Sequence, residues 1–187
     1  AVRALLLALD VIPALGVGHS AGAAVLLQLA SYHEVAPRSV IGCNSALVSI
    51  NALGAMLLPL SRAVFDAGPV RVFAAALLHS GSFAQEARYV SLLADDARVG
   101  AVLGMMTRWD LAALQATFPR IRIPVTLVHS RNEPWVSYDE LLDATRALPM
   151  RSVVDMTPAG HLIPDEKPTQ LADVIMSALA ALGPRTG

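Results

Sequence analysis

Apolar residues in this chain fall into short continuous runs separated by longer amphipathic stretches. Residues 14–17 form one such run; it ends on Gly18, and residues 23–30, all helix-compatible and without a breaker, follow at once. That pairing predicts a strand feeding a helix across a tight turn. Residues 39–44 read as a second buried strand, residues 123–129 as a third with Pro124 near its start, and residues 151–156 as a fourth. Helical periodicity returns between and around them. Val2, Leu5, Leu6 and Leu9 share one helix face; residues 137–148 carry Asp139 and Glu140 in a predicted first turn; residues 167–182 form a long amphipathic helix. Strand alternating with helix predicts an α/β fold with a parallel sheet.

Residues 51–118 break this rhythm. Segments 52–65, 70–78, 84–93 and 98–106 are apolar and helical by pattern, and no convincing strand lies among them. The expected organisation is a core assembled from residues 1–50 and 119–187, with 51–118 as an inserted helical cap. A plain helical subdomain would carry the same leucines and alanines. A cap over the carboxyl ends of parallel strands, where ligands bind in open α/β sheets, favours an apolar substrate.

Composition narrows the classes. Hydrophobic residues make up 55% of the 187 positions and charged residues 16%, which excludes disorder as the main state. No run approaches the roughly 20 apolar residues of a membrane-spanning helix. Net charge is −1, no Lys/Arg block occurs and aromatics are 5%, so a nucleic-acid partner is not indicated. The lone Cys43 lies in an apolar run and reads as a buried structural thiol, with the cytoplasm as the expected compartment. The chain starts at Ala1 with helix and has no charged leader, so it is expected to begin inside a domain.

Candidate chemistry centres on Gly18-His19-Ser20-Ala21-Gly22, a G-x-S-x-G pattern at the predicted strand-to-helix turn. A glycine-flanked serine also suits a turn followed by a helix N-cap. The flanking strand and helix favour a nucleophile elbow, whose tight backbone requires small residues two before and two after the serine. A serine hydroxyl needs a base, and the base needs a carboxylate to fix its tautomer. His161 follows the fourth strand and the loop 157–160. Glu133 lies in the loop after the third strand, whereas its rival Asp139 falls inside the next helix and reads as a first-turn charge. His19 is expected to point away from the serine hydroxyl. His33, His79 and His129 read as surface or satisfied core residues, with no metal-ligand spacing. No nucleotide-cofactor motif is present, so neither metal nor cofactor is expected.

With serine, acid and histidine in that chain order, the sequence resembles the α/β hydrolases. Residues 18–24, 42–47, 104–111 and 160–162 further resemble the BchO-type accessory proteins of magnesium chelatase in bacteriochlorophyll biosynthesis. The resemblance covers nearly the whole chain, and the 104–111 segment is its discriminating part. It implies Ser20, Glu133 and His161 as catalytic triad and the Ala21 backbone N–H as an oxyanion donor. It also implies a substrate surface including Met105, Met106 and Trp109, a small apolar substrate or porphyrin, and magnesium chelatase subunits as partners. Two departures stand out: glutamate replaces the usual aspartate at 133, and Ser130-Arg131-Asn132 replaces a glycine-containing lead-in. The resemblance further implies that the sequence starts after the first strands of the fold and after a histidine-glycine loop that supplies a second oxyanion donor. An exposed edge at residues 14–17, self-association and weak activity are the expected consequences.

Overall fold

The computed structural model describes residues 1–48, 101 and 109–183. Four parallel strands form one sheet in the order β1 (Leu15–His19), β2 (Ser39–Cys43), β3 (Val125–His129), β4 (Arg151–Asp155). β2, β3 and β4 each match a run expected from the sequence, trimmed at one end, whereas β1 starts one residue after the start of the expected run 14–17 and continues through Gly18 to His19. β3 starts at Val125 because Pro124 has no N–H to give to the ladder; its carbonyl instead accepts from the backbone N–H of Val40 and the hydroxyl of Ser39.

Strand side chains alternate between two cores. Val40, Val125 and Leu127 pack on one face with Ala24, Leu27 and Ala30 of α2 (Ala21–Ala30), Leu114 of α3 (Leu111–Gln115), Phe118, Ile121, and Leu141 of α4 (Tyr138–Ala144). Ile41, Cys43 and Val128 pack on the other with Met156, Ile163 of α5 (Ile163–Glu166) and Leu171 of α6 (Pro168–Leu182). The sheet is thus covered by helices on both sides, as parallel sheets require.

The helices end where local chemistry dictates. Ser137 caps α4 through a capping box with Glu140. The helix stops at Thr145, short of the expected residue 148, where the Thr145 hydroxyl turns back to the Leu141 carbonyl. The expected terminal helix begins at Pro168, because the residue before a proline is steered out of helical geometry; Lys167 has φ −132° and ψ 47°. α1 (Val2–Leu9) forms as expected but buries no residue, and Leu5 and Leu9 on its apolar face are exposed. It is tied to the body by an Arg3–Glu34 ion pair and by Arg3 lying over the Tyr32 ring.

β1 stands at one edge of the described sheet, with Val17 45% exposed between buried Gly16 and Gly18. Of the expected cap, Ala101 and residues 109–118 are described. Segments 52–65, 70–78 and 84–93 and the rest of 98–106 lie outside the described residues, as do Met105 and Met106. Among the described residues no helix is long and apolar enough to cross a membrane.

Candidate active site

Ser20, Glu133 and His161 follow the carboxyl ends of β1, β3 and β4, at one edge of the sheet. Ser20 sits between β1 and α2 with φ 52° and ψ −115°, a region that costs a non-glycine residue about 1–3 kcal/mol. Three backbone bonds hold it there. Its N–H donates to the Cys43 carbonyl at 2.9 Å, and its own carbonyl accepts from Ala23 at 3.2 Å and Ala46 at 3.1 Å. The side chain projects from a half-buried position, and Ala21, the first residue of α2, has a backbone N–H that no earlier helical turn can satisfy.

The two glycines of the motif play unequal parts. A Cβ on Gly18 would lie 2.6 Å from the Gly22 carbonyl carbon and 2.7 Å from the Ala23 nitrogen, whereas one on Gly22 would meet nothing within 4 Å. Close approach of strand and helix backbones demands Gly18. Gly22 is not small for the same reason, contrary to the symmetrical reading of the motif.

His161 and Glu133 come together. His161 Nδ1 lies 2.7 Å from Glu133 Oε2, with the glutamate side chain 1% exposed and the histidine side chain 12% exposed. A carboxylate acceptor places the ring proton on Nδ1 and leaves the Nε2 lone pair available. The second carboxylate oxygen, Oε1, accepts the Trp135 backbone N–H at 2.9 Å, so both glutamate oxygens are held. Asp139 is exposed in the first turn of α4. Between Ser20 Oγ and the His161 ring the structure contains no hydrogen bond.

The lead-in to Glu133 departs from glycine without loosening the loop. Ser130 is fully buried; its hydroxyl donates to the Ala159 carbonyl at 2.5 Å and accepts from the backbone N–H groups of Ala159 at 3.1 Å and Asn132 at 3.2 Å. The Arg131 backbone N–H donates to Thr157 Oγ1 and its guanidinium pairs with Asp155 at 2.8 Å. The acid loop and the histidine loop are thereby sewn together. Bonds from the Thr157 hydroxyl and backbone N–H, and then from Arg131, hold the Asp155 carboxyl down at about 2.

Three contributors to this edge were not visible as such in the sequence. His19, expected only to point away from the serine hydroxyl, puts Nε2 2.8 Å from the His161 carbonyl and its ring centroid 4.7 Å from that of His161. Burial, and then proximity to His161, lowers its pKa, against smaller opposing influences from the His161 carbonyl, Glu133 and Asp165. Asn44, at φ 38° and 2% exposed, donates from Nδ2 to the carbonyls of Gly160 and His161. Ser130 is the third. The signal that could have found Asn44 and Ser130 is a polar residue directly after an apolar strand, at the edge where a parallel sheet carries its site.

His129 is a fully buried core residue; the Val136 backbone and the Tyr138 ring lie near it, and burial lowers its pKa. Cys43 is buried as expected, and burial raises its thiol to about 11. Trp109 is half-buried against the α2-side core. Among the described residues no cluster of three or more His, Cys, Asp or Glu could hold a metal ion.

The same architecture recurs in known proteins. The chain is similar to a bromoperoxidase from Bacillus anthracis (TM-score 0.81, 11% identity, covering 96% of this chain and 71% of that one). It is likewise similar to an esterase from Exiguobacterium antarcticum (TM-score 0.80, 11% identity, 96% and 71%). In sequence it is 33% identical, over 91% of its length, to the magnesium-chelatase 30 kDa subunit of Rhodobacter capsulatus, and it spans 64% of the length of that curated relative. Residues 1–174 match the model of the alpha/beta hydrolase family. With elbow, parallel sheet and histidine loop in that order, the chain belongs to the alpha/beta hydrolase family.

Proposed function

We propose that the protein is a serine hydrolase in which Ser20 is the nucleophile, His161 the general base and Glu133 the carboxylate that orients it. The observation that carries this reading is the 2.7 Å contact between His161 Nδ1 and a glutamate held in place by Trp135. It supplies the tautomer that a base needs. In the proposed reaction His161 Nε2 takes the Ser20 Oγ proton as Oγ bonds to an ester carbonyl carbon. The negative oxygen gathers at the Ala21 N–H, next to the positive end of α2. Collapse expels the alcohol, which leaves with the proton from His161, and water then repeats the sequence to release the acid. Reaching the serine requires a rotation that closes the Ser20–His161 gap, a tightening common when a catalytic pair engages substrate.

The test is labelling of the purified protein by a fluorophosphonate probe. Covalent modification at Ser20, absent in Ser20→Ala and His161→Ala, is expected; no labelling of the wild-type protein would overturn the reading.

We further infer that this hydrolase acts as a cytoplasmic accessory factor at the magnesium chelatase step of bacteriochlorophyll synthesis; the similarity to a magnesium-chelatase subunit supports the chelatase part of that reading. Under this reading an apolar cap containing Met105, Met106 and Trp109 covers the site and receives a small apolar substrate or a porphyrin. The same similarity favours a second reading, a non-catalytic porphyrin carrier that docks on chelatase subunits. Titration with protoporphyrin separates the two: saturable quenching of Trp109 and Trp135 that survives Ser20→Ala, without probe labelling, would favour the carrier. Turnover of short acyl esters with no porphyrin binding would point instead to a general ester hydrolase.

A further inference from the structure

The backbone carbonyl of His161 receives two side-chain donors from different elements. His19 Nε2 reaches it at 2.8 Å from the end of β1, and Asn44 Nδ2 at 3.0 Å from the end of β2. A carbonyl oxygen has two lone pairs, so its capacity is filled. Asn44 does more than this. Its Nδ2 also donates to the Gly160 carbonyl at 2.8 Å, its Oδ1 accepts the Ser130 backbone N–H at 3.2 Å, and its own backbone N–H donates to Val128 at 2.9 Å. The residue before it, Cys43, supplies the carbonyl that holds the Ser20 N–H.

We propose that Asn44 and His19 form a positioning clamp that sets where the His161 ring stands relative to Ser20 and Glu133; this deepens the hydrolase reading above and rests on it. The Glu133 bond alone fixes the ring at Nδ1 but lets glutamate and histidine swing together relative to Ser20. The clamp removes that freedom. It holds the Cα end of His161 from the nucleophile's own strand through His19, and it joins the histidine loop to the acid loop through one buried amide. The His19 role requires its proton on Nε2, since a carbonyl can only accept. Asparagine suits position 44 because it tolerates positive φ while presenting donor and acceptor together.

Four variants test the clamp. His19→Phe keeps a ring and loses the donor; His19→Gln restores an N–H near the Nε2 position. Asn44→Asp keeps shape and acceptor but loses both donations, and Asn44→Gly removes the side chain without straining φ. Each is read by kcat and KM on a short acyl ester, by the fluorophosphonate labelling rate, by the low-field proton NMR signal of His161 Nδ1–H, and by thermal melting. His19→Phe is expected to lower kcat and labelling at least about tenfold with KM within about twofold, as misplacement of a reacting group does, and His19→Gln to recover most of it. Asn44→Asp and Asn44→Gly should lose more, with the low-field signal broadened. Folded His19→Phe that labels at the wild-type rate would overturn the proposal, even if the Asn44 variants fail to fold. Should the wild-type protein not label at all, the hydrolase reading fails separately. The low-field signal then decides the clamp: broadening in both His19→Phe and Asn44→Gly supports it, and an unchanged signal in folded protein overturns it.

Discussion

Gly18→Ala and Gly22→Ala should act in opposite directions, although the motif treats the two glycines alike. At Gly18 the new Cβ meets only backbone, at 2.6 Å from the Gly22 carbonyl carbon and 2.7 Å from the Gly22 oxygen and the Ala23 nitrogen. Restoring an ordinary 3.4 Å contact from 2.6 Å requires a displacement of 0.8 Å between β1 and the start of α2. Neither partner yields easily. β1 is paired with β2 along its whole length, and α2 buries Ala23, Ala24, Leu27, Leu29 and Ala30. Overpacking of this kind costs about 1–3 kcal/mol, and backbone on both sides puts the expectation at the upper end. That corresponds to a fall in Tm of about 5–10 °C for a chain of this size. Ser20 lies two residues beyond, so labelling by a fluorophosphonate should also slow about 10- to 100-fold. At Gly22 the Cβ meets nothing within 4 Å and the residue is helical, so Gly22→Ala should stabilise by up to about 1 kcal/mol. Melting curves and labelling rates of both variants give the answer. A Gly18→Ala protein that melts and labels like wild type would refute the argument.

Glu133→Gln should cost turnover up to about 10⁴-fold by removing control of the His161 tautomer, while Asp139→Asn, in an exposed first turn, should change it little; the reverse ranking in kcat would move the acid to Asp139. Cys43, with its thiol near 11 and buried, should resist Ellman's reagent in the native protein and react only on unfolding. His19 and His129 both have pKa values lowered from 6.5 by burial, so the unfolded chain takes up their protons first. Their contribution to stability is therefore intact above about pH 6.5 and lost as pH falls below it; urea denaturation between pH 8 and 5 should show this slope, reduced in His129→Phe. Stability that rises on acidification through that window would contradict it.

Apolar runs placed β2 and β3, which are buried on both faces of the sheet, and the alternation of strands with helices pointed to a parallel sheet, whereas β1 and β4 at the two edges of the described sheet keep exposed residues. The serine, the acid loop and the histidine loop were legible for a related reason: each follows a strand at its carboxyl end. Trimming at Val125 and Pro168 was written in the prolines. Tertiary structure decided what depends on distances across the chain. The pairing of Glu133 with His161 across 28 residues was expected from their places after strands in the chain order; that Asn44 and His19 hold the His161 carbonyl spans 117 and 142 and was not. No local pattern encodes these, since a buried amide that braces two loops has the same one-letter signature as an asparagine in a turn. The unequal glycines of the elbow belong to the same class. Gly18 is required by the approach of a backbone four residues ahead, and only the packed turn shows that Gly22 faces open space.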